Sequence, residues 1–255
     1  MKIHLLSDLH VEFWKQDKRA KLTSLLQPAD VLVLAGDIAV GRTNVLEVIK
    51  WIDHCGFYKQ ILYIPGNHEY YSGTKLGEFR SHDNFVGKLP VTAKLLDRDS
   101  IVLDNVLFIG ATLFTNFKNG DPLAQQAARW GINDFAGSRQ SGASIESYTD
   151  IYNKDIEYMK FRYEHREPGQ KVVFISHFVP DISLNHPKWG GETNLMNYYF
   201  ANQLGDWMAT LDPCYWLFGH THDEIDKMIG DCRCIANPLG YPGEKNFNQR
   251  IIDVL

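Results

Sequence analysis

Five stretches of the chain are apolar almost without a break, and each stops at a short polar cluster. They are "KIHLLSD" (2–8), "DVLVLAGD" (30–37), "QILYIPGNHE" (60–69), "KVVFISH" (171–177) and "CYWLFGH" (214–220). Runs of this length, closed by turn residues, predict strands buried on both faces. Between the first three lie "DKRAKLTSLLQ" (17–27) and "TNVLEVIKWIDHCG" (43–56). In the second, Val45, Ile49 and Ile52 fall on one helical stripe, and Gly56 supplies a stop signal. The order strand, helix, strand, helix, strand predicts an α/β fold with helices covering a sheet.

The pattern changes after residue 99. "SIVLDNVLFIGATLF" (100–114) reads as two strands joined at Asp104-Asn105, a hairpin signal. Residues 115–169 are more polar and mostly helical in pattern; Tyr152, Ile156, Met159 and Tyr163 share one helix face. Segment 180–198 reads as loop, followed by a helix to about 210 and short strands at 225–230, 233–236 and 250–254. With no internal repeats, low-complexity tracts or flexible linkers, the expectation is one domain over 1–255 with a mostly helical insertion at about 115–169.

Composition narrows the class. The 255 residues are 44% hydrophobic and 22% charged, with a net charge of −5 and no block of like charges. That gives no broad basic surface, so long nucleic acid is not an expected partner. The four cysteines, Cys55, Cys214, Cys232 and Cys234, are too few for a disulfide scaffold, and the C-x-C pair at 232–234 suits a strand better than a zinc site. "MKIHLLSDLH" is too short an apolar run for a signal peptide, and no window approaches a membrane span. The expectation is a cytoplasmic protein with no membrane partner.

Candidate chemistry gathers where the apolar runs stop. Asp8 and His10 come from "SDLH", Asp37 from "AGDI", Asn67 and His68 from "PGNHE", His177 from "ISHF", and His220 and His222 from "FGHTH". Taken singly, Asp8 and Asp37 read as turn or cap residues, His177 as an ordinary core histidine, and the H-x-H pair as loop histidines. Together, at the carboxyl ends of strands, they are expected to share one rim. Oxygen and imidazole donors without a thiolate suit manganese, iron, zinc or nickel. A single site uses three or four such side chains, so this larger set, with one carboxylate able to bridge, suits two adjacent metal ions about 3.5–4 Å apart. Such a pair hydrolyses phosphate esters: one ion polarises the phosphoryl oxygen, and a water between them becomes a nucleophile at neutral pH.

The blocks "DLH", "GD", "GNHE", "SH" and "GHTH", in this order, resemble the calcineurin-like metallophosphoesterase superfamily, and they span residues 8–222. The tail "IANPLGYPGE" and the block "GATLFTNF…INDF" further resemble an uncharacterised bacterial and phage branch of it. The resemblance implies a four-layer α/β/β/α sandwich with two mixed sheets. It implies a first metal held by Asp8, His10, Asp37 and His222, and a second held by Asp37, Asn67, His177 and His220, with manganese the first choice in vitro. It also implies that His68 is not a ligand but donates a proton to the leaving group. One departure is visible: many relatives read G-D-x-x-D, where this chain has Val40 in "GDIAVG". That separates it from the protein serine/threonine phosphatases.

The leading function is hydrolysis of a small phosphodiester by a dinuclear metal centre. A phosphomonoesterase, a nuclease and a non-catalytic scaffold are the alternatives, the last disfavoured by the intact motif set. Outside the motifs, Glu69 reads as a helix-start residue, and His4, His54, His82 and His165 as structural or exposed. His186 is a candidate to line the pocket, and Trp189 and Tyr198 either stack on an aryl group or pack. Asn133 and Asp134 reach the substrate from the insertion, or Asp134 caps a turn.

Overall fold

The structure, a computed structural model, describes residues 1–15, 17–71, 73–79, 84–135, 143–244 and 247–254. Eleven strands run in chain order: β1 (Lys2–Leu6), β2 (Val31–Ala35), β3 (Gln60–Ile64), β4 (Ala93–Leu95), β5 (Asp99–Leu103), β6 (Val106–Gly110), β7 (Lys171–Ile175), β8 (Cys214–Phe218), β9 (Ile225–Ile229), β10 (Cys232–Ala236) and β11 (Ile251–Asp253). They form two sheets, ordered β11-β1-β2-β3-β4 and β5-β6-β7-β8-β10-β9. Both are mixed. β1 to β4 are parallel with β11 antiparallel at one edge, and β6, β7, β8 and β10 are parallel between antiparallel β5 and β9.

Alternation along each strand divides the core into layers. Ile3, Leu5, Val31, Val33, Leu62 and Ile64 of the first sheet face Val106, Phe108, Val173, Ile175, Leu217 and Ile235 of the second in one apolar cluster. The intervening residues, such as Leu32, Leu34, Tyr63, Leu107, Phe174 and Trp216, pack outward under the helices. The result is the four-layer sandwich expected above. Its helices are α1 (Lys18–Leu25), α2 (Arg42–Cys55), the kinked turn α3 (Phe117–Gly120), α4 (Pro122–Gly131), α5 (Ile145–Glu164), α6 (Asn197–Phe200) and α7 (Gly205–Met208).

Local signals explain most boundaries. α2 buries Val45, Val48, Ile49 and Ile52 and ends at Gly56, whose φ of 71° closes the helix in the left-handed region. Asp104 and Asn105 both have positive φ, 44° and 65°, as a two-residue turn between β5 and β6 requires. Cys232 and Cys234 are buried strand residues and all four cysteines are free. One element differs from expectation. In place of a single helix to about 210 there are two short ones, α6 and α7, because Ala201 is extended and pairs with Val179, and the Asn202 amide donates to the carbonyls of Leu113 and Phe114. Among the described residues no helix is long and apolar enough to cross a membrane.

Candidate metal centre

The site residues sit just past the carboxyl ends of β1, β2, β3, β7 and β8, so both sheets feed one rim. The chain turns sharply there. Asp8, His10, Asp37, His220 and His222 all adopt left-handed backbone, with φ between 47° and 76°. Asp and His tolerate that region better than most residues, yet each still costs on the order of 1 kcal/mol. The turns bring the side chains inward, and small neighbours make room. A Cβ on Gly66 would lie 2.1 Å from Asp37 Oδ1 and 2.8 Å from His177 Nε2. A Cβ on Gly36 would lie 2.3 Å from His177 Nδ1. The glycines of "PGNHE" and "AGD" are therefore needed for the approach of the donors themselves.

Three clusters result, the third of them His10, Glu12 and His68. Asp8, His10 and His222 bring one donor atom each within 4.8 Å of one another, and so do Asp37, His177 and His220. Asp37 lies between them. Its Oδ2 is 3.8 Å from His10 Nε2, while its Oδ1 is 3.4 Å from His177 Nε2. Asn67 joins the second cluster, its Oδ1 3.2 Å from His177 Nε2. His10 Nε2 and His222 Nε2 are 3.2 Å apart, as are His220 Nδ1 and His177 Nε2.

Imidazole nitrogens aimed at each other at this distance, beside carboxylates, are what a cation would bring together. The far nitrogens support that fit. His177 Nδ1 meets the Ala35 carbonyl at 2.9 Å, His222 Nδ1 meets Glu244 at 2.8 Å, and His10 Nδ1 lies 3.4 Å from Glu12. Each leaves its Nε2 free to coordinate, the usual arrangement of a metal-bound histidine. His220 faces the cluster through Nδ1 instead.

The electrostatics agree. Burial opposes charge on Asp8 and Asp37, but the surrounding imidazoles outweigh it: Asp8 falls to about 2 and Asp37 well below the usual carboxylate range. Burial likewise opposes a charged His177 and His222, yet Asp37 and Asp8 carboxylates raise them to about 10 and about 9. His220, buried beside His177, is pushed well below the ordinary histidine value. Negative charge is thus concentrated here, balanced by protons when no cation is bound.

His68 stands at the edge. Its backbone N–H donates to Asp37 Oδ1 (2.9 Å), its Nδ1 is 3.5 Å from Glu12 Oε1, and its Nε2 is 3.9 Å from Asp37 Oδ2. Burial works against its protonation, but Asp37 and Glu12 shift its pKa upward.

Several contributors had no site role assigned from the sequence. Glu12 also accepts from the Val40 backbone N–H (3.3 Å), at the position where many relatives have the second Asp. Its placement two residues after His10 in "DLHVE" was the available signal. The tail after β10 runs back along β1, with Leu239 N bonded to the Ser7 carbonyl and Gly240 N to that of Asp8. This sets the Tyr241 ring 4.5 Å from His10 and 4.7 Å from His222, and delivers Glu244. Glu69 starts the short turn His68–Tyr70, but its buried carboxylate also accepts from the backbone N–H groups of Asp37, Ile38 and Gly66. His186 is exposed and caps residues 187–189; it does not line the cavity. Tyr198 is buried packing, whereas Trp189 does line the cavity, its indole N–H donating to Asp223. His4 is buried and bonded to Tyr58, and His82 lies outside the described residues.

Beside the rim opens a cavity of about 500 Å³. Ile132, Asn133, Trp189, Met196 and Phe200 are among the residues that line it, and among the described residues no lysine or arginine does.

The calcineurin-like phosphoesterase family matches residues 1–224. An uncharacterised protein of Acanthamoeba polyphaga mimivirus is 27% identical over 274 residues, covering 96% of this chain and 94% of its own. Among solved structures, the phosphopantetheinyl hydrolase of Mycobacterium tuberculosis superposes with a TM-score of 0.77 at 16% identity, over 98% of this chain and 95% of that one.

Proposed function

The chain belongs to the calcineurin-like phosphoesterase family, and so to the metal-dependent hydrolases of phosphoric esters, and we propose that it is a dinuclear phosphodiesterase acting on a small substrate. The observation that carries the reading is Asp37, whose two carboxylate oxygens face different histidines. In this reading Asp8, His10, Asp37 and His222 hold one ion, and Asp37, Asn67, His177 and His220 the other. Manganese is the first choice, and iron, zinc or nickel suit the same donors. When bound, the ions supply Lewis acidity and an activated water. The protein supplies the rest. Asp37 fixes the spacing of the two donor sets, and His177 and His222 are oriented by Ala35 and Glu244. His68, whose pKa Asp37 and Glu12 raise against the effect of burial, gives its proton to the departing alkoxide oxygen.

The cavity supports a small ester. Among the described residues its lining holds no lysine or arginine, and beyond the rim carboxylates and histidines it consists mostly of apolar, amide and aromatic side chains, Trp189 and Phe200 among the last. Such a surface suits one uncharged organic group better than a polyphosphate or a long polyanion. The net charge of −5 adds no field to steer nucleic acid. The test is kcat/KM on bis(p-nitrophenyl) phosphate against p-nitrophenyl phosphate, with manganese at one pH. The diester is expected to be preferred. A clear monoester preference makes the protein a phosphatase, and rapid degradation of plasmid DNA makes it a nuclease.

A further inference from the structure

Asp134 brings a carboxylate from segment 115–169 into the wall of the metal centre. It is 2% exposed, and its two oxygens collect four donors. Oδ2 accepts from the hydroxyls of Tyr148 and Tyr199, each at 2.5 Å. Oδ1 accepts from the hydroxyl of Tyr71 and from the side-chain amide Nδ2 of Asn67, the latter at 3.3 Å. The three tyrosines come from three places: the turn after β3, helix α5 and helix α6. None of this is needed merely to close a turn.

We infer that Asp134 is a positioning residue: it holds the Asn67 amide so that the oxygen, and not the nitrogen, faces the second cation. The inference rests on the reading of the rim as a metal centre. An asparagine amide has two chemically opposite ends of nearly equal shape. Only the oxygen can ligate a cation. A carboxylate surrounded by donors offers acceptors alone, so the Asn67 nitrogen must turn toward Asp134. The same rotation points Oδ1 at His177 Nε2, 3.2 Å away. Flipping the amide sets two acceptors against each other at Asp134 and puts two N–H groups at the cation. The three phenols fix Asp134 in turn, so the orientation does not depend on Asn67 itself.

The arrangement is one-sided. Asp134 acts on Asn67, which belongs to the cluster of Asp37, His177 and His220, and not on the cluster of Asp8, His10 and His222. Loss of Asp134 should therefore weaken one ion and spare the other. A buried carboxylate that only staples segments together predicts something else: a general loss of stability with both ions affected alike.

The experiment is manganese titration by calorimetry, with element analysis and thermal melting of the metal-free proteins. Wild type is expected to bind two ions. Asp134→Asn should keep one at wild-type affinity and weaken the other about 10–100-fold, the usual effect of losing a partner that orients a ligand. Tyr148→Phe removes a donor to Oδ2 but leaves the Asn67 contact on Oδ1, and should keep both ions. Combining Asp134→Asn with Asn67→Asp restores a donor–acceptor pair with the roles exchanged, and should recover the second ion. If Asp134→Asn does not accumulate, the double variant carries the test: two ions support the inference and one overturns it. Two unchanged ions in Asp134→Asn overturn it, as does parallel weakening of both ions in step with the melting temperature. A wild type that binds no manganese instead removes the metal centre itself.

Discussion

His68 is where binding and chemistry separate. Its contact with Asp37 that fixes the strand end is a backbone N–H, which truncating the side chain leaves in place. The imidazole approaches Asp37 and Glu12 only at 3.5–3.9 Å, and it groups with His10 and Glu12 rather than with the clusters that contain Asp8 and Asp37. His68→Ala should therefore retain its metal content, measured by element analysis, and lose about 10²–10⁴ in kcat on an alkyl phosphodiester. The loss should be much smaller with p-nitrophenolate, which departs without a proton. Equal losses on both leaving groups would remove the proton-donor role. The other rim residues differ in kind. Asp8, His10, Asp37, His220 and His222 hold strained backbone as well as donor atoms, the expected signature of residues kept in place for chemistry rather than stability.

At the scale of elements, the strand ends are held by side chains as well as by the sheet. Glu69 joins the loop after β2 to the loop after β3: Oε2 accepts from Asp37 N (3.1 Å) and Gly66 N (2.7 Å), and Oε1 from Ile38 N (2.7 Å). Glutamine has one acceptor oxygen where three N–H groups require two, so its NH₂ would oppose a backbone donor. Glu69→Gln should cost about 1–3 kcal/mol in denaturant unfolding of the metal-free protein. It should also weaken metal binding, because Asp37 loses its frame. Unchanged stability would show that the loops hold themselves. Sequence pattern found β1, β2, β3, α2 and the β5–β6 hairpin because their signals are local: apolar runs, a helical stripe, Gly56, Asp104-Asn105. It expected one helix through residue 201, since the pairing with Val179 that breaks it is between segments distant in sequence. The proposed ligands were legible for the same local reason, each in a short block at a strand end. Glu12 had a weak signal. Tyr241 and Glu244 lay in the resembling tail "IANPLGYPGE" but had no assigned role, and the tyrosines around Asp134 had no signal, because only folding brings them to the rim.

For the molecule as a whole, the two-sheet core must hold a rim rich in strained turns and clustered charge, so its own polar inclusions matter. His4, on the outer face of β1, is one. Its ring is wholly buried, with Nδ1 2.7 Å from the Tyr58 hydroxyl and Nε2 without a partner among the described residues. The Gln27 backbone N–H donates to that hydroxyl (3.2 Å), which turns the phenol proton toward Nδ1 and leaves the imidazole neutral. Burial lowers the His4 pKa from 6.5 to about 4. On acidification the unfolded chain takes up this proton near pH 6.5, and the folded protein only near pH 4. The contribution to stability is therefore complete above about 6.5 and falls as pH drops. It levels off below about 4, after a loss on the order of 3 kcal/mol. The carboxylates and rim histidines also titrate, but they are common to wild type and a His4→Gln variant and cancel in the difference. Denaturant unfolding of both proteins between about pH 8 and pH 4.5 isolates His4. Whatever offset the substitution introduces at pH 8, the wild type should lose stability relative to the variant by about 2–3 kcal/mol across the window. A difference that stays constant with pH would mean that the core accommodates a charged His4, and that Tyr58 turns to accept its proton.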